Sequence, residues 1–526
     1  MYRNLPIRLP FKDEAAQNST MTAYDELMAK IREYYLLQSV ISNVGWDTET
    51  YIPPKAFPQR GEQMAILYQL AHRMGSDPEI GKLLDKVEKN TEFNKLDAIQ
   101  QRNVHLIRRE YDSVVKTPEK LMGEIAKQQT IAVSVWKKAK AKKDWKLFEP
   151  ELAKMVDLVR QRGEILKDVR KTPTVYDALL DQFEPRMTQD VISEVFTDLR
   201  NALIPLVDKY TAAIKGKDFS FLNRKVPIPI QRKISTALTD FVLYDTTSDQ
   251  AGGRIDEVEH PFTSGYYDDV RITTHYYEDK VASSIYSVLH EAGHALYGQN
   301  YPPEGKWQPW GESSSYGIHE SQSRFIENMV GRSPEFVQYF FPILNKLTNN
   351  TFKDISIEQF TQGINRVERS KIRIEADEVT YSLHVIIRFE IERELFAGKI
   401  AIPDLPNIWN QKYDEYLGVK IKHDSEGVMQ DTHWASGYQG YFPSYALGNI
   451  YGGQFLAMMV KDIPDWLDQI AKGKFKKILQ WMIDHVHSKG NMYYPQDLVK
   501  QVTGEGLNAK PFINYLETKY KRIFGM

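Results

Sequence analysis

The chain has no cysteine among its 526 residues. That excludes disulfides and thiolate ligands, so any metal held here must rest on histidine, aspartate or glutamate. It also suits a reducing compartment, and a cytoplasmic location is expected. No stretch approaches a membrane span, and Met1 to Asn18 lacks the apolar segment of a secretory signal, so neither a membrane nor an export role is expected. Strong charge of one sign is missing as well. A net charge of −2 argues against a general nucleic-acid binder. Length alone suggests about three domains, yet no Gly/Ser-rich or Pro-rich linker divides the chain. With 42% of residues hydrophobic, the material for a large core is ample.

What is present is mostly helical periodicity. Tyr24, Leu27, Met28, Ile31, Tyr34 and Tyr35 recur at three- and four-residue spacing, and Pro53 and Pro54 close that run after Trp46-Asp-Thr-Glu-Thr-Tyr51. Further helices are expected near 58–74, 95–115, 118–141 and 146–171, and along the apolar run from Val191 to Tyr210. In the C-terminal third they are expected near 334–348, 356–367, 371–397, 404–417, 454–472 and 475–487. The Lys-rich stretch from Lys137 to Lys146 reads as a solvated helix face, since aromatic interleaving is sparse.

The stretch with chemical content is Ser287-Val-Leu-His-Glu-Ala-Gly-His-Ala-Leu-Tyr297. His290 and His294 lie four residues apart, so on a helix both imidazoles reach one metal ion. Glu291 sits beside them, where its carboxylate can take a proton from a water at the metal. Composition predicts this H-E-x-x-H pattern by chance on the order of 0.02 times in such a chain. Val281, Ile285, Val288, Leu289, Ala292, Ala295 and Leu296 form an apolar stripe, and the histidines fall on the other side with Ser283, Tyr286, Ser287 and Tyr297. Histidines serving only as core residues would lie within the stripe.

A catalytic zinc needs a third protein ligand and an open position. Downstream, Glu312, Glu320, Glu327 and His319 are available, and helical phase does not choose among them, although Glu320 and Glu327 share a face. Arg324, one turn past Glu320, can orient its carboxylate. Upstream, Asp269 to Tyr276 alternates like a strand, with Val270, Ile272 and Tyr276 on one side and Asp269, Arg271, Thr273 and His275 on the other. As an edge strand it could hold an extended peptide, and an ordinary half-buried hairpin is equally compatible. Arg373 and Asp377, at i and i+4 of an expected helix, read as a surface ion pair. Gly427 to Trp434 is a polar stretch carrying His433. Gly437 to Tyr445 is an aromatic loop entering a helix, from which Tyr445 can donate to an oxyanion.

Taken in order, W-D-x-E-T, D-x-R-x-T, H-E-x-x-H, H-E-S-x-S-R, I-R-x-x-A-D and G-x-x-Q-D-x-H-W resemble the thermostable metallocarboxypeptidases of peptidase family M32, from about Trp46 to Tyr451. The resemblance implies a mainly α fold, a large two-lobed neurolysin-like zincin with a deep cleft and a small β-sheet near the active-site helix. It implies a single peptidase domain over residues 1–526 and a homodimer. It implies Zn2+, for which Co2+ can substitute, on His290, His294 and Glu320, with Glu291 as general base. Arg271 and Arg373 become candidates to hold a peptide's terminal carboxylate, and His433 and Tyr445 candidate transition-state donors. The implied activity is removal of single C-terminal residues from peptides. An oligoendopeptidase or dipeptidyl carboxypeptidase with the same zinc chemistry is the alternative, and a non-catalytic helical peptide-binding protein is a second.

Overall fold

The computed structural model describes residues 21–526; the Met1–Asn18 stretch, for which no signal segment is expected, lies outside them. The first helix, α1 (Ala23–Thr50), starts at Thr22, whose hydroxyl and the Asp25 carboxylate cap each other's backbone N–H groups. It stops just before Pro53 and Pro54. Next come α2 (Phe57–Gly75), α3 (Pro78–Val87), a single turn α4 (Asn90–Phe93) and α5 (Ala98–Lys116). Leu27, Ile31, Leu83, Leu84 and Val104 of α1, α3 and α5 close a small core of their own. A hairpin of α6 (Glu119–Lys142) and α7 (Trp145–Arg170) follows, then α8 (Val175–Leu180), α9 (Gln189–Ala213) and α10 (Ile228–Val242). On α6, Lys137, Lys138 and Lys142 are exposed as expected of a solvated face, while Lys140 donates to the Gln430 carbonyl at 2.8 Å.

The sheet has three strands, β1 (Ile255–Glu257), β2 (Thr263–Tyr266) and β3 (Asp269–Thr274), in the order β1-β3-β2. β1 runs parallel to β3 and β2 antiparallel to it, so Ile272 lies between Ile255 and Thr263. β3 is therefore the central strand, and the expectation that it offers a free edge to a peptide is corrected. Its second partner, the three-residue β1, is too short to leave an alternation signal.

Beyond the sheet come α11 (Val281–Gln299), α12 (Tyr316–Arg324), α13 (Pro334–Leu347), α14 (Ile357–Ile364), α15 (Tyr381–Phe396) and α16 (Leu405–Leu417). The chain ends with α17 (Pro443–Asp462), α18 (Trp466–Ala471), α19 (Lys476–His485), α20 (Pro495–Thr503) and α21 (Lys510–Phe524). One large core runs from α6 through α21. The whole is predominantly helical and two-lobed, with the small sheet beside α11.

Two expected helices are broken. The one near 371–397 is a short turn at Arg373–Glu375 and then α15, because the Asp377 carboxylate accepts the N–H groups of Val379 (2.9 Å) and Thr380 (3.1 Å) and holds a turn that interrupts the run before Tyr381. The one near 454–472 begins earlier, at Pro443, and ends at Asp462 before Pro464, with α18 separate.

The placement of the site depends on how closely α12 is gripped. A Cβ at Gly293 of α11 would lie 2.5 Å from the Gln322 carbonyl oxygen, and one at Gly448 of α17 would lie 2.7 Å from Glu320 Cγ. Gly293→Ala is therefore expected to destabilise the fold by about 1–3 kcal/mol through overpacking. Gly123→Ala, on an open face of α6 with nothing within 4 Å, should instead stabilise by roughly 0.5–1 kcal/mol. Urea denaturation of the two variants checks the contrast, and equal midpoints would refute the tight-contact reading.

Candidate metal centre

Ile285, Val288, Leu289 and Ala292 bury the inner side of α11 completely. The other side is not simply solvated: Tyr286 and Tyr297, which share it with the histidines, are also buried, Tyr286 beneath the Arg332 guanidinium at 3.7 Å. α12 and the π-helical turn Phe325–Val330 that continues it cover this face. His290 and His294 keep side-chain exposures of 19% and 15%, enough to leave one side of the cluster accessible.

The Nε2 atoms of His290 and His294 lie 3.7 and 3.4 Å from Glu320 Oε2. Nitrogen and oxygen donors around a tetrahedral metal at about 2.1 Å stand about 3.4 Å apart, so the set fits a divalent metal and leaves room for a further ligand. His290, His294 and Glu320 are the group among the described residues whose donor atoms converge in this way.

The backs of the ligands are held. Nδ1 of His290 lies 2.9 Å from Glu327 Oε2, and Nδ1 of His294 lies 2.6 Å from Nδ1 of His319. Such partners fix ring orientation and leave Nε2 for the metal. Burial and the neighbouring His294 keep His319 well below the ordinary histidine range, so its ring is neutral. Arg324 Nε donates to Glu320 Oε1 at 2.7 Å, and Ser323 Oγ to Oε2 at 3.2 Å. Arg324 and Arg332 both reach Glu327, each at 3.2 Å. Burial opposes ionisation of both carboxyls, but Arg324 and the facing imidazoles outweigh it. Glu320 is held far below the usual carboxylate range and Glu327 at about 2.

The four third-ligand candidates thus separate. Glu320 joins the histidines, Glu327 and His319 stand behind them, and Glu312 lies elsewhere, 3.5 Å from the Tyr35 hydroxyl with its carboxyl pushed up to about 7 by burial. Glu291 is buried, and Thr263 Oγ1 of β2 donates to its Oε2 at 2.6 Å. The sheet therefore serves the site by aiming this carboxylate.

Across from α12, His433 Nε2 lies 3.2 Å from the Tyr445 hydroxyl. Tyr445 sits in the first turn of α17, inside the helix, one turn ahead of Gly448. Burial lowers His433 to about 4; Asp431 pulls the other way, and Arg373 and Arg388 reinforce the fall. Its Nδ1 is buried with no hydrogen-bond partner among the described residues.

The two arginines part company. The expected surface pair of Arg373 with Asp377 does not form: Arg373 is 5% exposed and donates to Asp431 Oδ1 at 2.9 and 3.1 Å and to the Tyr381 hydroxyl at 3.0 Å. The break in the helix after Glu375 turns it inward. Its guanidinium stands 4.9 Å over the Tyr445 ring, whereas Arg271 pairs with Asp269 on its own strand and stacks at 4.8 Å on Trp46 of α1. Sequence reasoning missed Asp431, Arg388 and Thr263. Asp431 lies inside the stretch that carries His433, and Arg388 is a charge amid Val385-Ile-Ile and Phe389, a signal for buried pairing. Thr263 left no trace, since its role depends on strand pairing.

Comparison with known proteins agrees with this geometry. The thermostable carboxypeptidase 1 of Thermus thermophilus is 39% identical over 510 residues, covering 96% of this chain and 99% of that protein. The solved M32 carboxypeptidase of Deinococcus radiodurans superposes with a TM-score of 0.91 at 32% identity, covering 96% of this chain and 100% of that one. Trypanosoma cruzi metallocarboxypeptidase 1 superposes equally well, 0.91 at 32% identity, covering 95% and 99%. A family model described as carboxypeptidase Taq (M32) metallopeptidase matches residues 26–520. With a His-His-Glu cluster and an adjacent glutamate in place, the chain belongs to the carboxypeptidase Taq (M32) family of metallopeptidases.

Proposed function

We propose that the protein is a zinc carboxypeptidase that removes C-terminal residues from peptides one at a time. The observation that carries the reading is the cluster of His290 Nε2, His294 Nε2 and Glu320 Oε2 beside the buried Glu291 carboxylate. A zinc ion held there, or cobalt in its place, supplies Lewis-acid polarisation of the scissile carbonyl and acidifies water. Glu291, aimed by Thr263, takes the proton of the attacking water and hands it to the departing amine nitrogen. Tyr445 and the neutral His433 donate to the oxyanion, a contribution of about 3 kcal/mol per donor in comparable sites.

Chain-end recognition falls to Arg373. One carboxylate, Asp431, serves both Arg373 and Arg388, so this buried group carries a surplus positive charge beside Tyr445. A guanidinium reads a free carboxylate through two parallel hydrogen bonds. Arg271, neutralised by Asp269, is less suited. Among the described residues no helix is long and apolar enough to cross a membrane, and the cysteine-free chain suits a cytoplasmic enzyme acting on peptides.

Three outcomes follow. A peptide digest read by mass should show a ladder of single C-terminal losses, abolished by a chelator; internal cuts or loss of pairs would point to an oligoendopeptidase or dipeptidyl carboxypeptidase. In the same assay Glu291→Gln should retain zinc by metal analysis yet lose kcat by about 10³-fold or more, and near-normal turnover would end the proposed base role. Wild type should prefer a free-acid peptide over its C-terminal amide by about 10²-fold or more in kcat/KM. Arg373→Lys should shrink that ratio, and if Arg271→Lys shrinks it instead, the assignment is wrong.

We further propose a homodimer. α2 leaves Ile66 and Leu70, one turn apart on the same face, at 60% and 42% exposure, an apolar surface that a second copy can cover. Light scattering should give twice the chain mass for wild type and a monomer for the Ile66→Glu, Leu70→Glu double variant; a monomeric wild type refutes the pairing.

A further inference from the structure

A second cavity, about 540 Å³, opens where the C-terminal ends of α5 and α7 meet the segment after α8 and the residue before α20. Five basic side chains and two carboxylates line it. Arg108 is engaged by Asp85 and Glu88 and by Asp112, the second carboxylate of the lining, at 3.7 Å. Asp181 must therefore serve most of the remaining charge. It accepts from Arg109, from the Arg186 backbone N–H at 2.8 Å, and stands 3.6 Å from Arg170 Nη1. Glu110, on the exposed side, also reaches Arg170 at 3.0 Å and Arg109 at 3.9 Å.

Three features show that this charge is left over. Arg170 is 6% exposed, and its Nη1 is buried with no hydrogen-bond partner among the described residues. Arg186 lies 4.1 Å over the Tyr494 ring and Arg102 lies 4.3 Å from it; neither pairs with a carboxylate among the described residues. His105, in contact with Tyr494, is lowered to about 4, first by burial and then by Arg102, Arg186, Arg109 and Arg170 together. Three guanidiniums in the lining, Arg109, Arg170 and Arg186, with Arg102 on the far side of Tyr494, thus share one buried carboxylate, Asp181, and the exposed Glu110. Their mutual repulsion is a standing cost that an anion would relieve.

We infer that this cavity binds a small metabolite through a phosphate group, at a site separate from the metal centre. A tetrahedral phosphate can accept from guanidiniums arriving from several directions, which a planar carboxylate does less well. The Thr188 hydroxyl in the wall accepts from Val191 N–H and keeps its own proton to donate. The volume leaves room for the remainder of the molecule, since ligand pockets run from roughly 300 to 1,000 Å³. The site also borders the catalytic wall. In the segment from Asp181 to Met187, the Phe183 carbonyl accepts from Tyr316 N–H at 3.0 Å, and the Glu184 carboxylate accepts from Gly317 N–H and from the Tyr451 hydroxyl. An anion tying Arg186 to Arg170 therefore braces the strip of chain that supports the start of α12.

The test is calorimetric titration of the metal-loaded enzyme with inorganic phosphate, sulfate and succinate at constant ionic strength. Phosphate and sulfate should bind saturably, with Kd below about 1 mM, and succinate at least about tenfold more weakly. Arg186 and Lys171 are exposed and sit at φ +64° and +56°, which asparagine tolerates. Arg186→Asn and Lys171→Asn should therefore fold normally, and each should weaken phosphate at least about tenfold while leaving peptidase activity measured without phosphate unchanged. The inference is overturned if phosphate does not bind saturably, if succinate binds in its place, or if both variants bind phosphate as wild type does, which would locate it at the metal centre.

Discussion

Everything at the catalytic centre depends on one steric constraint, the clamping of α12 between α11 and α17 at two glycines. At Gly293 the backbone of α12 approaches α11 closely enough that no Cβ fits, and at Gly448 the α17 backbone lies directly against the Glu320 side chain. Because that contact admits no slack, Glu320 Oε2 arrives within 3.4–3.7 Å of both imidazoles. Interiors are close-packed and resist small displacements. The geometry of the donor set is thus a property of helix packing before it is a property of the donors.

Electrostatics then decides what the packed groups are. Arg332, Glu327, Arg324 and Glu320 form a buried alternation of charge that runs up to the ligand oxygen. Buried ion pairs of this kind contribute little net stability, because desolvation cancels most of the attraction. What the array does is keep Glu320 ionised and pointed, and keep Glu327 available to His290. Across the site the balance is the reverse. Arg373 and Arg388 share Asp431, and burial keeps His433 neutral, so that wall sets a buried positive group beside a neutral imidazole and the Tyr445 hydroxyl.

The chain assembles this from distant parts. Thr263 on the sheet aims Glu291, α11 and α12 supply the ligands, and the segments around Arg373, Asp431 and Tyr445 close the far wall. No one segment is functional alone, which agrees with a single large core running from α6 to α21.

Much of this was legible in the residues. H-E-x-x-H encodes a metal-binding helix face because four-residue spacing is local geometry, and most helices followed from apolar periodicity for the same reason. The family pattern added Glu320. What periodicity misread were the places where a side chain, a proline or a strand partner overrode it: Asp377 holding a turn ahead of α15, Pro464 ending α17, and β1 taking the free edge of β3. Local spacing could not rank Glu312, His319, Glu320 and Glu327, nor foresee that Arg373 is buried against Asp431 while Arg271 stays with Asp269 on its strand. Only the tertiary fold separates them, because which donor meets which partner depends on helix contacts between residues far apart in the chain.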